Sequence, residues 1–274
     1  SLRQTHRIPR VFQIHHSLLM KSLFASSLSA LAASALFLAA GSTSANAADY
    51  TWDTVSGDGA TITAASGTWN TTAGNTVWNS GTTNVIWAQT SGSAALHNAI
   101  FAGTDGTHTV TLSGSMNAQS VTFNNSGYTL AAGTLTLKPT SATSGTITVA
   151  AGKTATINSI LSYSQNLVAA VTVGAGGTLN LGGGIAGPGT ANPVFNFSGD
   201  GTINLSGGTF TNNSSTSRTA TYGNAVINLT SGTHAITPGN NAGANISGTT
   251  RNVAYNLSGG TLSVNGNTTT DANA

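Results

Sequence analysis

The feature that most constrains this chain is a short signature that returns at a nearly fixed interval. Asn180-Leu181-Gly182-Gly183-Gly184, Asn204-Leu205-Ser206-Gly207-Gly208, Asn228-Leu229-Thr230-Ser231-Gly232 and Asn256-Leu257-Ser258-Gly259-Gly260 align, with starts separated by 24, 24 and 28 residues. Three of the copies continue with a Thr and a larger residue, as Thr209-Phe210, Thr233-His234 and Thr261-Leu262. A period in the twenties belongs to solenoids, in which one turn cannot bury its own apolar face and must stack on its neighbours.

The content of each period is strand and turn. Thr134-Leu135-Thr136-Leu137, Thr146-Ile147-Thr148-Val149, Thr154-Ala155-Thr156-Ile157 and Val171-Thr172-Val173 alternate with period two, between Gly, Asn, Ser and Pro. β-Branched residues suit the pleat, and Gly or Asn takes turn positions at positive φ. Outside the leader described below, no window of helical periodicity exceeds about ten residues. The expected fold is all-β, a right-handed parallel β-helix (β-solenoid). Alternation places Ile203, Leu205, Ile227 and Leu229 inside, with Tyr255 and Leu257 following, and leaves Thr202 and Asn204 outside to hydrogen-bond along the stack. A β-sandwich with accidental repeats would need longer loops and less regular spacing.

Residues 1–47 stand apart. Met20-Lys21 reads as a positive n-region, Leu23 to Ala40 as an apolar stretch, and Ala45-Asn46-Ala47 as a small-x-small cleavage signal. Residues 20–47 are therefore expected to be a secretory signal peptide, helical before cleavage between Ala47 and Ala48. Uncleaved, the same stretch would be about the minimum length for a membrane anchor. Residues 1–19, which begin at Ser1 and carry Arg3, Arg7, Arg10, His15 and His16, read as untranslated sequence or an extended leader.

Removing the leader changes the charge argument. From Ala48 onward the positive residues are Lys138, Lys153, Arg218 and Arg251 and the negative ones are six Asp, so the net charge is 4 − 6 = −2. No basic patch for a phosphate backbone remains, which disfavours nucleic acid as a partner. Charged residues make up only 5% of the chain and Glu is absent. A stack of uncharged Thr, Ser and Asn faces needs little else. With about 24 residues to a turn and ~4.8 Å of rise, residues 48–274 would make about nine rungs and a rod of roughly 45 Å.

All four tryptophans, Trp52, Trp69, Trp78 and Trp87, fall in the first part of this region. Terminal repeats of a solenoid must close an open sheet edge, so an atypical Trp-containing N-terminal cap is expected over the start of residues 48–137. The alternative is a carbohydrate platform, since indole faces stack on sugar rings. Residues 138–274 are then β-solenoid repeats of about 24 residues.

The order Gly67-Thr68-Trp69-Asn70, Val77-Trp78, Ala99-Ile100-Phe101-Ala102-Gly103, Val110-Thr111-Leu112, Ser120-Val121-Thr122-Phe123, Gly127-Tyr128-Thr129-Leu130 and Gly133-Thr134-Leu135-Thr136-Leu137 resembles autotransporter-associated β-strand repeat proteins. The resemblance is close over residues 67–137 and one of repeat style beyond. It implies an exported bacterial β-solenoid of passenger type, displayed at the surface of a Gram-negative type envelope or released from it. Its role would be structural or adhesive, with surface glycans or other cells as partners. The membrane would be met only through the signal peptide or a C-terminal barrel or anchor. The chain reaches Ala274 still in repeat style, so an N-terminal fragment of a longer protein is expected. The family is not defined by catalytic residues, and none is carried over.

The residues themselves offer no enzyme. Carboxylates here are Asp49, Asp53, Asp58, Asp105, Asp200 and Asp271, and only Asp53 and Asp58 lie near each other, in a Gly-rich turn; glycoside hydrolysis wants two facing one bond. Gly152-Lys153-Thr154 lacks the upstream glycine of a phosphate loop, because position 147 is Ile, and reads as a turn. No G-x-S-x-G elbow occurs. His97, His108 and His234 lack metal-ligand spacing and are expected at the surface. Asp200, in Gly199-Asp200-Gly201, resembles one calcium-binding nonapeptide copy without the tandem such sites need. No cofactor and no metal is expected. One further alternative is an ice-binding solenoid, which would use the pairs Thr134/Thr136, Thr146/Thr148 and Thr154/Thr156 in register on one flat face.

Overall fold

The computed structural model describes residues 47–89, 97–138, 145–163, 168–185, 194–213, 224–237 and 254–264. The signal-peptide helix read before Ala47 lies outside them, and the described residues all belong to one compact unit that starts at Ala47. Among the described residues no helix is long and apolar enough to cross a membrane.

The chain coils in repeated three-strand turns. It starts with β1 (Ala48–Trp52) and β2 (Gly67–Trp69), then the short β3 (Trp78–Asn79) and β4 (Asn84–Val85). The first complete turn is β5 (His97–Phe101), β6 (His108–Leu112) and β7 (Ser115–Ala118), and the second β8 (Ser120–Phe123), β9 (Tyr128–Ala131) and β10 (Thr134–Leu137). The third is β11 (Gly145–Val149), β12 (Thr154–Ile157) and β13 (Ile160–Tyr163). In the fourth, β14 (Val168–Val173) and β15 (Thr178–Leu181) are followed by a single bridge at Ile185. The fifth is β16 (Val194–Ser198), β17 (Thr202–Leu205) and β18 (Thr209–Asn213). Beyond it lie β19 (Val226–Leu229), β20 (Thr233–Thr237), β21 (Ala254–Leu257) and β22 (Thr261–Val264).

Equivalent strands of successive turns pair in parallel. One sheet runs β2-β6-β9-β12-β15-β17-β19-β21 in chain order, a second runs β1-β5-β8-β11-β14-β16, and the third side is built from β7-β10-β13 and β18-β20-β22. Five complete turns result among the described residues, fewer than the nine expected. In residues 48–89 the strands β1 to β4 make one incomplete turn.

The sequence repeat is the register of the eight-stranded parallel sheet. Thr156, Asn180, Asn204 and Asn228 pair in succession, each 24 residues after the last, and Asn256 follows 28 residues later. Strand alternation then does what the sequence demands. Leu179, Ile203 and Ile227 form one buried column, and Leu181, Leu205 and Leu229 another. With ~25 cal/mol per Å² of apolar area removed from water, these columns are the main favourable term. Leu257 keeps the register but is 57% exposed, and Tyr255 is only half-buried. The expectation that both lie inside fails for Leu257.

Two corner glycines carry a real steric requirement. Gly127 has φ +90° and Gly199 φ +94°, the left-handed region. A Cβ at Gly127 would fall on the Gly106 carbonyl oxygen, and one at Gly199 would lie 2.0 Å from the Val173 oxygen. At these corners one turn rests directly on the backbone of the turn before.

At the N-terminal end the pattern changes. β3 runs antiparallel along β1 on the side away from β5, pairing Trp52 with Trp78 and Thr51 with Asn79, and β4 runs antiparallel to β3. The four indoles converge there at 0–1% exposure, with Trp78 ring centroids 5.2, 4.8 and 4.6 Å from Trp52, Trp69 and Trp87. Phe101 lies under them, 5.7 Å from Trp78, and stacks on Phe123 of the next turn at 5.1 Å.

Candidate functional surface

The outward side chains of the eight-stranded parallel sheet form columns. Registers join Thr109, Thr129, Thr156, Asn180, Asn204, Asn228 and Asn256 into one, Thr in its first part and Asn in the rest. The amides are wired together along the stack. Asn180 Nδ2 donates to Thr156 Oγ1 at 3.2 Å, Asn204 to Asn180 Oδ1 at 2.7 Å, Asn228 to Asn204 at 2.7 Å, and Asn256 to Asn228 at 2.8 Å. The hydrogen bonding along the stack expected from the repeat is therefore present. An amide carries two N–H donors and a carbonyl with two lone pairs. A ladder that uses one of each leaves the remainder facing out, at one amide per turn.

The β1-side sheet has a column of its own. Asn98 Nδ2 donates to Asp49 Oδ1 at 2.7 Å, and Ser120 Oγ donates to Asn98 Oδ1 at 2.7 Å. Further along, Thr172 and Ser198 hydroxyls meet at 2.9 Å. The three Thr-x-Thr pairs do not share a face. Thr146/Thr148 lie on β11 in the β1-side sheet, Thr154/Thr156 on β12 in the eight-stranded parallel sheet, and Thr134/Thr136 on β10 in the third. A flat in-register Thr-x-Thr array, which the ice-binding alternative requires, is not formed by them.

The tryptophans are placed by the same alternation, with Trp52 and Trp69 at inward ends of β1 and β2. Their polar atoms are partly used inside: Trp52 Nε1 donates to the Ala65 oxygen at 2.9 Å and Trp87 Nε1 to the Asn117 oxygen at 3.0 Å. A sugar ring stacked on any of the four would have to displace a core neighbour.

Asp53 and Asp58 do not face a common opening. Asp53 is fully buried, and its Oδ1 accepts from the backbone N–H groups of Val55 and Thr63, both at 3.2 Å. The space beside its Oδ2 is filled by the Asn79 amide, which donates to Asp53 Oδ2 at 3.3 Å, the Gly59 oxygen at 2.8 Å and Asn84 Oδ1 at 3.3 Å. Asp58 receives the Thr63 hydroxyl at 3.4 Å. This is a knot tying the 53–63 loop to β3 and β4. Among the described residues no group of three or more His, Cys, Asp or Glu could hold a metal.

Lys153 sits in the turn expected for it, beside Gly152 at φ +68°. Its ammonium pairs with Asp105 at 2.9 Å across two turns of the coil. Asp105 also accepts from Asn125 Nδ2 and the Ser126 N–H, and these donors, Lys153 foremost, hold its carboxyl down to about 2. Asp200 accepts from Asn224 Nδ2 at 3.2 Å in the corresponding corner further along.

The histidines contradict the expectation of surface positions. His97, His108 and His234 are 8, 9 and 1% exposed. Each occupies the inward phase of its strand, in His97-x-Ala99-x-Phe101, His108-x-Val110-x-Leu112 and the column Phe210, His234, Leu262. That phase is visible in the alternation and outweighs the polarity of imidazole. Burial lowers the pKa of His97, and that of His234 to about 4.

These features define an all-β protein of stacked parallel coils with an apolar interior and uncharged polar ladders outside. Over 127 residues the chain is 38% identical to a protein described as adhesin BmaC autotransporter, from Brucella suis biovar 1 (strain 1330). The match covers 46% of this chain and 3% of that protein, so the chain spans a small part of its relative's length. No family model matches the chain, and no solved structure matches it. The chain is autotransporter passenger-like, in sequence over the matched residues and in fold through its β-solenoid.

Proposed function

We propose that this is an exported, non-catalytic surface or extracellular β-solenoid whose polar ladders adhere to glycans or to other cells. The observation that carries the reading is the outward column from Thr109 to Asn256, one side chain from each of β6, β9, β12, β15, β17, β19 and β21 in register. Weak, uncharged hydrogen-bonding groups repeated at ~4.8 Å gain strength by number, since each further contact is intramolecular once the first is made. The similarity to a protein described as an adhesin supports the same class.

Two accessory roles complete the proposal. Met20 to Ala47 directs export to the surface or exterior of a Gram-negative type envelope and is removed between Ala47 and Ala48; β1 begins at Ala48. The tryptophan end, with β3 laid antiparallel along β1, caps the first turn and denies its edge to other strands. This role uses Trp52, Trp69, Trp78 and Trp87 as core, and glycan recognition falls to the ladders.

Beads coated with the chain test the adhesive role. Retention on cultured cells and on immobilised glycans should exceed that of blank beads. It should fall severalfold when Asn180, Asn204 and Asn228 are changed together to Ala in a chain that keeps its circular dichroism. Retention equal to blank beads, or unchanged in the triple variant, would overturn it.

A further inference from the structure

The tryptophan end meets the first complete turn at a buried histidine. His97 opens β5 and points inward, 8% exposed. Its ring stacks on Tyr50 of β1, with centroids 4.2 Å apart and planes at 20°, and lies edge-on to Trp87 at 5.4 Å. Neither ring nitrogen has a hydrogen-bond partner among the described residues. A neutral imidazole tolerates this slot; an imidazolium, with two N–H donors to satisfy, does not.

Trp87 belongs to a strap, residues 86–89, laid over β7. The strap is held by few bonds: Trp87 Nε1 to the Asn117 oxygen at 3.0 Å, Gln89 Nε2 to the Ser115 oxygen at 3.2 Å, and the Asn117 N–H to Gln89 Oε1. Among the described residues no carboxylate faces His97 from the elements packed on it. On β1 the facing group is the Tyr50 ring, and Asp49 points to the exposed outer side, held by Asn98. The strap contributes the Trp87 ring, and Gln119, just before β8, gives its N–H to the His97 backbone oxygen at 2.9 Å. Among the described residues no anionic group compensates a charge on the ring.

We propose that His97 is an acid-sensitive latch, whose protonation releases the Trp87 strap from β7 and opens the tryptophan end while the stacked turns stay folded. The burial that lowers its pKa agrees in direction: the proton is taken up only as the strap opens, below the ordinary imidazole range near 6.5. The device would couple exposure of the N-terminal indoles to an acidic surrounding.

All four tryptophans lie at this end, so their emission reports it alone. On the full chain, emission should shift to the red as pH falls from 7 to 5, with far-ultraviolet circular dichroism unchanged. His97→Phe, which keeps the stacked ring and cannot be charged, should abolish the shift; His97→Gln serves if the Phe variant does not reproduce the wild-type spectrum at pH 8. His234→Leu should retain it. Histidine C2 hydrogen exchange by mass spectrometry on the unaltered chain should give His97 a midpoint that coincides with the emission change. The proposal is overturned if the non-titrating variant shifts like wild type, if emission and dichroism change together, if no shift precedes unfolding, or if the His97 midpoint lies elsewhere.

Discussion

The tryptophan end and the regular stack from β12 to β19 meet the same demand by opposite means. Both bury an apolar interior in a chain with almost no charge. The stack does it with interchangeable small pieces: Leu179, Ile203 and Ile227 occupy equivalent places on successive turns, and the Asn ladder repeats outside. The tryptophan end instead uses four large indoles, each with its own ring partners and a loop shaped to it. Asp53, Asn79 and Asn84 hold that loop by bonds used once. Periodicity supplies stability where equivalent side chains stack turn on turn; where the side chains do not repeat, individual ones supply it.

The largest expected effect tests this division. Trp78 contacts three indoles and Phe101, and Trp78→Ala should cost about 3–5 kcal/mol locally. Ile203→Ala, in the middle of a buried column, should cost about 2–5 kcal/mol. In a stack whose turns touch only their neighbours, the damage should stay near its source. Hydrogen exchange should show the Trp78 variant losing protection in β1 to β5, and the Ile203 variant in β15 to β19. Uniform loss along the chain in both would mean one cooperative unit and no meaningful division.

A second test uses the histidine of the far turns. His234 stands in a column between Phe210 and Leu262, and burial lowers its pKa to about 4. The unfolded chain binds its proton near 6.5 and the folded chain does not until about 4, so between these values unfolding takes up a proton. Stability is therefore full above about 6.5 and falls as pH drops through that window, by ~3 kcal/mol for a shift of this size. Urea unfolding followed by circular dichroism should show the fall, and His234→Leu should flatten most of it. A slope that survives the substitution would assign it elsewhere.

What could be read beforehand follows the same division. The Asn-Leu signature carries the register of β15, β17, β19 and β21, because in a solenoid the repeat and the strand pairing are one quantity. The antiparallel β3 and β4 were not legible: Trp78-Asn79 and Asn84-Val85 are too short to show alternation, and their pairing is set by the Asp53–Asn79 knot. The separation of the Thr-x-Thr pairs onto three faces was hidden because their unequal spacing reflects corners within a coil, and face assignment requires knowing where the corners fall. The inward histidines could have been found from strand phase alone.

The smallest effect concerns the ladder itself. Asn204 both donates to Asn180 and accepts from Asn228, at 2.7 Å each. Asn204→Ala removes both, and with net values near 1 kcal/mol per bond at a half-buried position should cost about 1–2 kcal/mol. Asn204→Asp keeps the acceptor toward Asn228 and loses the donor toward Asn180, leaving two oxygens face to face; it should cost at least as much at neutral pH and recover in part when the carboxyl is protonated and can donate. The adhesive reading adds a demand that stability alone does not make. Bead retention should fall more in the Ala variant than in Ile203→Val, which trims the interior by a comparable ~0.5–1.5 kcal/mol and leaves the ladder intact. Equal losses would reduce the Asn column to a staple of the stack, as private to the fold as the tryptophans at its start.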